Sequence, residues 1–258
     1  MCKASICIAV HNGEKFICET LKSIQSQTFT EFEIVIVDDH STDDTVDIIM
    51  NQFVSQDSRF KLYTNITDEL SQYVDSHNKS YELAKGELLF RIDQDDILDK
   101  NYLQVYIDYM DEHPKIDGIC TRSNYILYKD YNLCDYENLG NLSSAENYEQ
   151  MISGFNAENT ILLQCGDIFE NETSCLRKNF YDKYKPEFEI HLYGDYIFWN
   201  KCIAMGAKLN ILCIEPVHIG CKHTSNTYSI FQDIMYECEI EKFLKLQEEI
   251  RIKFNELK

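Results

Sequence analysis

Asp93, Asp95 and Asp96 place three carboxylates within four residues, directly after the apolar run that begins at Leu88. Like charges so close repel one another unless a cation sits among them. Two carboxylates one residue apart at the end of a strand can share a divalent ion such as Mg²⁺ or Mn²⁺, which completes its coordination with water and substrate phosphate. The cluster is therefore a candidate site for a phosphate-bearing ligand. Asp38, the first of two aspartates after the run Phe32–Val37, and Asp195, in Gly194-Asp195-Tyr196, stand in comparable places. Each of these residues also has a plain structural reading, because aspartate forms turns and caps helix N-termini. Asp96 or Asp99 would cap a segment starting near Lys100, and Asp195 a helix over 196–205.

The apolar stretches must deliver these side chains. Ala4–Val10 reads as a strand ended by the turn signal His11-Asn12-Gly13, and Ile17, Leu21 and Ile24 then fall on one helix face. Phe32–Val37 reads as a second strand. Ser41 and Asp44 resemble a capping pair for a helix whose face is Val46, Ile49, Met50 and Phe53. A short strand over Phe60–Tyr63 and a helix over 71–85 lead to the strand that ends at Asp93. Alternating strands and helices of these lengths mean parallel βαβ units, and Asp38 and Asp93 then share the sheet edge where open α/β folds bind ligands.

A formal charge of −20, from 24 Lys plus Arg against 44 Asp plus Glu, excludes nucleic acid as the main partner and weakens attachment to an anionic membrane. With 258 residues, 44% of them hydrophobic, the chain can bury a sizeable core as one large domain with at most a small appendage. The 11 cysteines form no C-x-x-C pair, and several lie inside apolar runs, as free thiols of a reducing compartment do. No run approaches ~18 apolar residues and the N-terminus reads as a strand. A cytoplasmic protein is expected, with at most peripheral contact at the inner face of a membrane.

Two segments, ASICIAVHNGEKFICETLKSIQSQTFTEFEIVIVDDHSTDDT and AKGELLFRIDQDDIL, resemble family-2 inverting glycosyltransferases of the GT-A fold, with order and spacing kept over about the first hundred residues. The resemblance implies an α/β fold with a mostly parallel central sheet flanked by helices. It implies a nucleotide-sugar donor, a glycan or glycolipid acceptor, and Mn²⁺ or Mg²⁺ as cofactor. Val10, His11, Asn12 and Glu14 would line the nucleoside pocket, and Asp38 would contact base or ribose. Asp93, with Gln94 beside it, would reach the ribose or metal-bound water. Asp95 would bind the metal, and Asp96 would support the loop or orient the donor sugar. The chain departs from the family in having His11-Asn12 for the usual Tyr-Asn, and His77-Asn78 for the usual Arg-Asn. The second change removes a permanent positive charge. His77 reads equally well as a donor contact or as a solvated loop histidine.

The stretch from His191 through Leu209 also resembles the family and makes Asp195 the general base. Trp199 reads as core. Tyr102–Met110 is expected to be helical, Ile116–Thr121 a strand, and 129–150 a loop excursion with a short helix. Lys222 and His223 resemble a region after the last strand, where His223 is a candidate metal ligand or diphosphate contact. The expected organisation is a GT-A domain over 1–225, with its donor half in 1–100 and its acceptor half in 101–225, followed by a helical extension over 226–258. Rival readings are a nucleotidyltransferase or a haloacid-dehalogenase-like phosphatase using Asp93 and Asp95, and a sugar-binding module without turnover.

Overall fold

A computed structural model of the chain describes residues 2–65, 74–121, 123–129, 132–135, 173–189, 194–211 and 218–222, together with 245–246, 248–249 and 252. Four strands carry the first half: β1 (Ala4–Val10), β2 (Phe32–Asp38), β3 (Phe60–Thr64) and β4 (Leu88–Arg91). The helices between them are α1 (Ile17–Gln25), α2 (Thr45–Ile49) and α3 (Val74–Leu83). All seven residues of β1 and of β2 are buried, as befits strands covered on both faces.

The second half adds α4 (Tyr102–Glu112), β6 (Gly118–Cys120), β9 (Ser174–Arg177), α5 (Lys178–Tyr184), α6 (Gly194–Ala204) and β10 (Leu209–Ile211). The main sheet runs β10-β6-β9-β4-β1-β2-β3. Its pairings are parallel except where β9 lies antiparallel to both β4 and β6. A smaller sheet joins β5 (Ile97–Leu98), β11 (His218–Lys222), β7 (Ser123–Lys129) and β8 (Asn132–Asp135) in that order.

Alternate residues of β1 supply two cores. Ile6, Ile8 and Val10 pack with Ile17, Leu21 and Ile24 of α1 and with Tyr102, Tyr106 and Met110 of α4. On the opposite face Cys7 and Leu89 meet Tyr81 of α3, Tyr181 of α5, and Phe198 and Trp199 of α6. Each fully buried isoleucine or leucine contributes about 1.5–3 kcal/mol, so the sheet is held from both sides. Trp199 is core, as its sequence context suggests.

Three sequence expectations change. α2 passes into a π-helical turn at Met50–Val54, which shifts the pattern so that Thr45, Ile49 and Phe53 face inward while Met50 is exposed. Ser41 does not cap that helix: Asp43 Oδ1 accepts from Thr45 N–H and Glu14 Oε2 from Asp44 N–H. The stretch from Lys129 is not loop throughout, because β7 and β8 pair antiparallel across it. Of the C-terminal extension the described residues are helical, and Leu246 packs on Tyr196, Ile197 and Ala204 of α6. Among the described residues no helix is long and apolar enough to cross a membrane.

Candidate active site

β1 lies between β2 and β4, so the chain leaves β1 in one direction and returns on its other side. That reversal opens a crevice at the carboxyl ends of the strands. Register aligns Val10 with Asp38 and Cys7 with Arg91, which brings the ends of β1, β2 and β4 to one edge.

The β1 and β2 ends are tied to each other. Val10 C=O accepts from Asp39 N–H at 2.8 Å, and Asp39 Oδ1 accepts from Asn65 Nδ2, also at 2.8 Å. Asp38 is buried, and its carboxylate accepts from Ser41 N–H at 3.3 Å. His11 Nδ1 lies 2.7 Å from Asp39 C=O, which can only accept, so Nδ1 carries the proton and Nε2 takes a hydrogen bond from Asn12 Nδ2 at 3.1 Å. Asn12 Oδ1 accepts from Thr42 N–H. Asn12 and Glu14 therefore staple the β2–α2 loop to the turn after β1. Asn12 and His40 both adopt left-handed backbone, at φ of 49° and 62°.

Gln94 binds the same turn from the β4 side: Oε1 accepts from His11 N–H at 3.0 Å and Nε2 donates to His11 C=O at 3.1 Å. Asp96 is buried beneath this loop, where its Oδ2 accepts from Asp93 N–H and lies 3.1 Å from His218 Nε2 of β11. Burial pushes the Asp96 carboxyl up to about 6; His218 beside it pulls the other way, and the charges of Asp95 and Asp93 add to the rise. Asp96 thus supports the loop rather than facing outward, one of the two uses expected of it. Neither Asp96 nor Asp99 caps α4: the N-cap is Asn101, without a side-chain cap, and Asp99 Oδ1 accepts from Asn101 N–H in the turn ahead of it.

Asp93 and Asp195 meet through a residue that the sequence reading passes over. Arg91 donates from Nη2 to Asp93 Oδ1 at 3.1 Å, from Nη1 to Asp195 Oδ1 at 3.0 Å and from Nε to His77 Nε2 at 3.1 Å. An imidazole nitrogen that accepts from a guanidinium is unprotonated, so His77 is neutral and its 3.9 Å approach to Asp93 is no ion pair. His77 is buried on α3, not a solvated loop residue. A permanent cation nevertheless stands beside it. Asp195 lies inside the first turn of α6 with its carboxylate on Arg91. The signal for Arg91 was available: a single charged residue within the apolar stretch Leu88-Leu89-Phe90-Arg91-Ile92 demands buried partners.

Carboxylate oxygen is the ligand type that a hard divalent ion takes. Asp95 is half-buried two residues after Asp93 in sequence, and no set of three metal-type ligands gathers among the described residues. An ion here would lean on one or two carboxylates and complete its shell with phosphate oxygens and water, as Mg²⁺ and Mn²⁺ do. His223, the other expected ligand, lies outside the described residues.

Comparison with known proteins gives this edge a context. The family model described as glycosyl transferase family 2 matches residues 5–184. Over 121 residues the chain is 36% identical to the poly(ribitol-phosphate) β-N-acetylglucosaminyltransferase TarS of Staphylococcus aureus, a match covering 44% of this chain and 20% of that protein. The structure of S. aureus TarS 1–349 in complex with UDP-GlcNAc superposes with a TM-score of 0.76 at 20% identity, covering 97% of this chain and 66% of that one. A mannosyltransferase from Pyrobaculum calidifontis, in complex with GDP-Man and Mn²⁺, gives a TM-score of 0.60 at 14% identity, covering 87% and 58%. The α/β architecture, with its mostly parallel sheet between helices, is the GT-A fold of the TarS structures.

Proposed function

We propose that this chain, which belongs to glycosyl transferase family 2, moves a sugar from a nucleoside diphosphate sugar to a hydroxyl of a glycan or glycolipid, inverting the anomeric configuration. The observation that carries the reading is the approach of Asp93, at the β4 end, and Asp195, on α6, to the one guanidinium of Arg91. In this reading the acceptor oxygen yields its proton to the Asp195 carboxylate and bonds to the anomeric carbon. The bond from that carbon to the diphosphate oxygen breaks, its electron pair leaving with the nucleoside diphosphate from the opposite face. Mn²⁺ or Mg²⁺ held at Asp95 would supply charge neutralisation for the diphosphate. Asp38 and the turn His11-Asn12-Gly13-Glu14 form the nucleoside side. Residues 1–100 then serve the donor and 101–225 the acceptor, with 226–258 as an extension. UDP is the favoured nucleotide, in keeping with the UDP-GlcNAc complex of the TarS fold neighbour. A surface glycan is the favoured acceptor, and a cytoplasmic site the favoured location. A nucleotidyltransferase or phosphatase using Asp93 and Asp95 has no support from the family assignment.

Calorimetric titration with UDP, GDP and CDP, each with Mn²⁺ and again with EDTA, tests the donor site. One of the three should bind only with metal, and Asp95→Ala should abolish that binding. If none binds with metal present, the donor site is misread, and phosphomonoester hydrolysis becomes the next assay.

A further inference from the structure

Arg91 sits where the end of β4 meets α3 and α6. Its guanidinium uses all three nitrogens, on Asp93 at the end of its own strand, on Asp195 of α6 and on His77 of α3. Only 11% of its side chain is exposed, against 39% for Asp93 and 23% for Asp195, so the cation lies beneath the two carboxylates and not in front of them. The guanidinium is itself fixed from behind. Its carbon lies 5.3 Å from the centroid of the Phe188 ring, which stacks on Phe198 of α6 at 4.2 Å. Phe188 is in turn pinned by Asn78 of α3, whose Nδ2 donates to Phe188 C=O at 2.8 Å and whose Oδ1 accepts from Phe188 N–H at 2.9 Å. A planar fork held on three sides transmits position, since two hydrogen bonds from one rigid group fix the carboxylates relative to each other.

We propose that Arg91 is the positioning residue of the transfer step: it orients the Asp195 carboxylate and sets its distance from the donor-binding end of β4. The proposal rests on the reading of Asp195 as general base. A carboxylate left to rotate freely at the start of a helix would meet the acceptor hydroxyl in the reactive geometry only part of the time, and small misplacements are costly in rate. Arg91 acts through Asp195 and touches no reacting atom. Its loss should therefore fall on kcat, with a much smaller effect on nucleotide affinity through Asp93.

The test uses the whole chain as Arg91→Lys, Arg91→Gln, Asp195→Asn and the Arg91→Gln/Asp195→Asn double variant. Turnover is read as nucleoside diphosphate release, with Mn²⁺, from whichever UDP- or GDP-hexose the native chain consumes fastest. The Kd for the matching nucleoside diphosphate is measured alongside. Arg91→Gln should lower kcat about 100-fold and Arg91→Lys about 10-fold, with KM and Kd within about 3-fold of native. The double variant should be no slower than Asp195→Asn alone, because groups that act as a unit are not additive. A kcat for Arg91→Gln within about 3-fold of native, losses that multiply in the double variant, or a loss confined to KM and Kd would each overturn the proposal. Should Arg91→Gln lose its cooperative melting transition, Arg91→Lys decides by the same kcat and Kd criteria. A native chain that consumes no nucleotide sugar removes the glycosyl-transfer reading and this proposal together. A native chain that does, with indifferent Arg91 variants, removes this proposal alone.

Discussion

Gln94 uses its side-chain amide as a neighbouring strand uses a peptide group, accepting from and donating to the backbone of His11 across the crevice between β1 and β4. Gly13 makes room for it: a Cβ added there would stand 2.4 Å from Gln94 Oε1 and 2.9 Å from its Cδ. Gly13→Ala should therefore push the amide off His11 and destabilise the fold by about 1–2 kcal/mol, the net worth of two part-buried hydrogen bonds. Urea unfolding measures this, and Gly13→Ala/Gln94→Ala should be less destabilised than the sum of the two single changes. A strictly additive result would mean that the two side chains do not compete for one space. The sequence names Gln94 as a donor-pocket residue by its place between two aspartates. That its amide is taken up by His11 depends on the approach of two loops 83 residues apart, which no local pattern encodes.

At the scale of elements, the motif Ala84-Lys85-Gly86 has a packing cause. A Cβ on Gly86 would lie 2.4 Å from Ala4 C and 2.5 Å from Ser5 N, both of them backbone atoms with nowhere to go. Gly86 N–H also donates to Ser5 Oγ at 2.8 Å, while that hydroxyl donates to the buried Glu33 carboxylate at 2.7 Å. Gly86→Ala should force β4 away from β1 and cost about 3 kcal/mol, read as a lowered urea midpoint with an unchanged slope. A midpoint within error of native would contradict this account. The strands β1, β2 and β4 are legible in the sequence because burial on both faces leaves continuous apolar runs. The inward face of α2 is not, since the π turn after Ile49 breaks the 3.6-residue repeat that the reading assumes. The β7–β8 hairpin is missed for another reason: its ladder pairs a stretch whose composition carries no strand signal beyond Tyr125-Ile126-Leu127-Tyr128.

For the molecule as a whole, cysteine usage is a test of how closely the two cores are packed. Cys7, Cys120, Cys175 and Cys202 are buried and in no disulfide, and burial pushes Cys175 up to about 12 and raises Cys7 and Cys202 as well. Since the thiolate is the reacting form, these four should resist a disulfide reagent at pH 8 until denaturant is added. Cys2 and Cys18, each partly exposed, should label in the native protein. Peptide mapping by mass spectrometry separates the two groups, and rapid native labelling at Cys7 or Cys202 would show that the α3–α6 face opens readily. The sequence foresees buried thiols from their apolar surroundings. It does not foresee that the charge missing at His77 is supplied from β4, because that exchange takes place between two elements 14 residues apart along the chain.

That exchange has an evolutionary side. Because Arg91 donates to His77 Nε2, the residue at position 77 must be able to accept a hydrogen bond and must not itself be cationic. Arginine at position 77 would set two guanidinium groups against each other in a largely buried space. A change of position 77 to arginine would then need a companion change at position 91, each harmful without the other. Lineages on either side of that step would be separated by a fitness valley rather than a gradual slope.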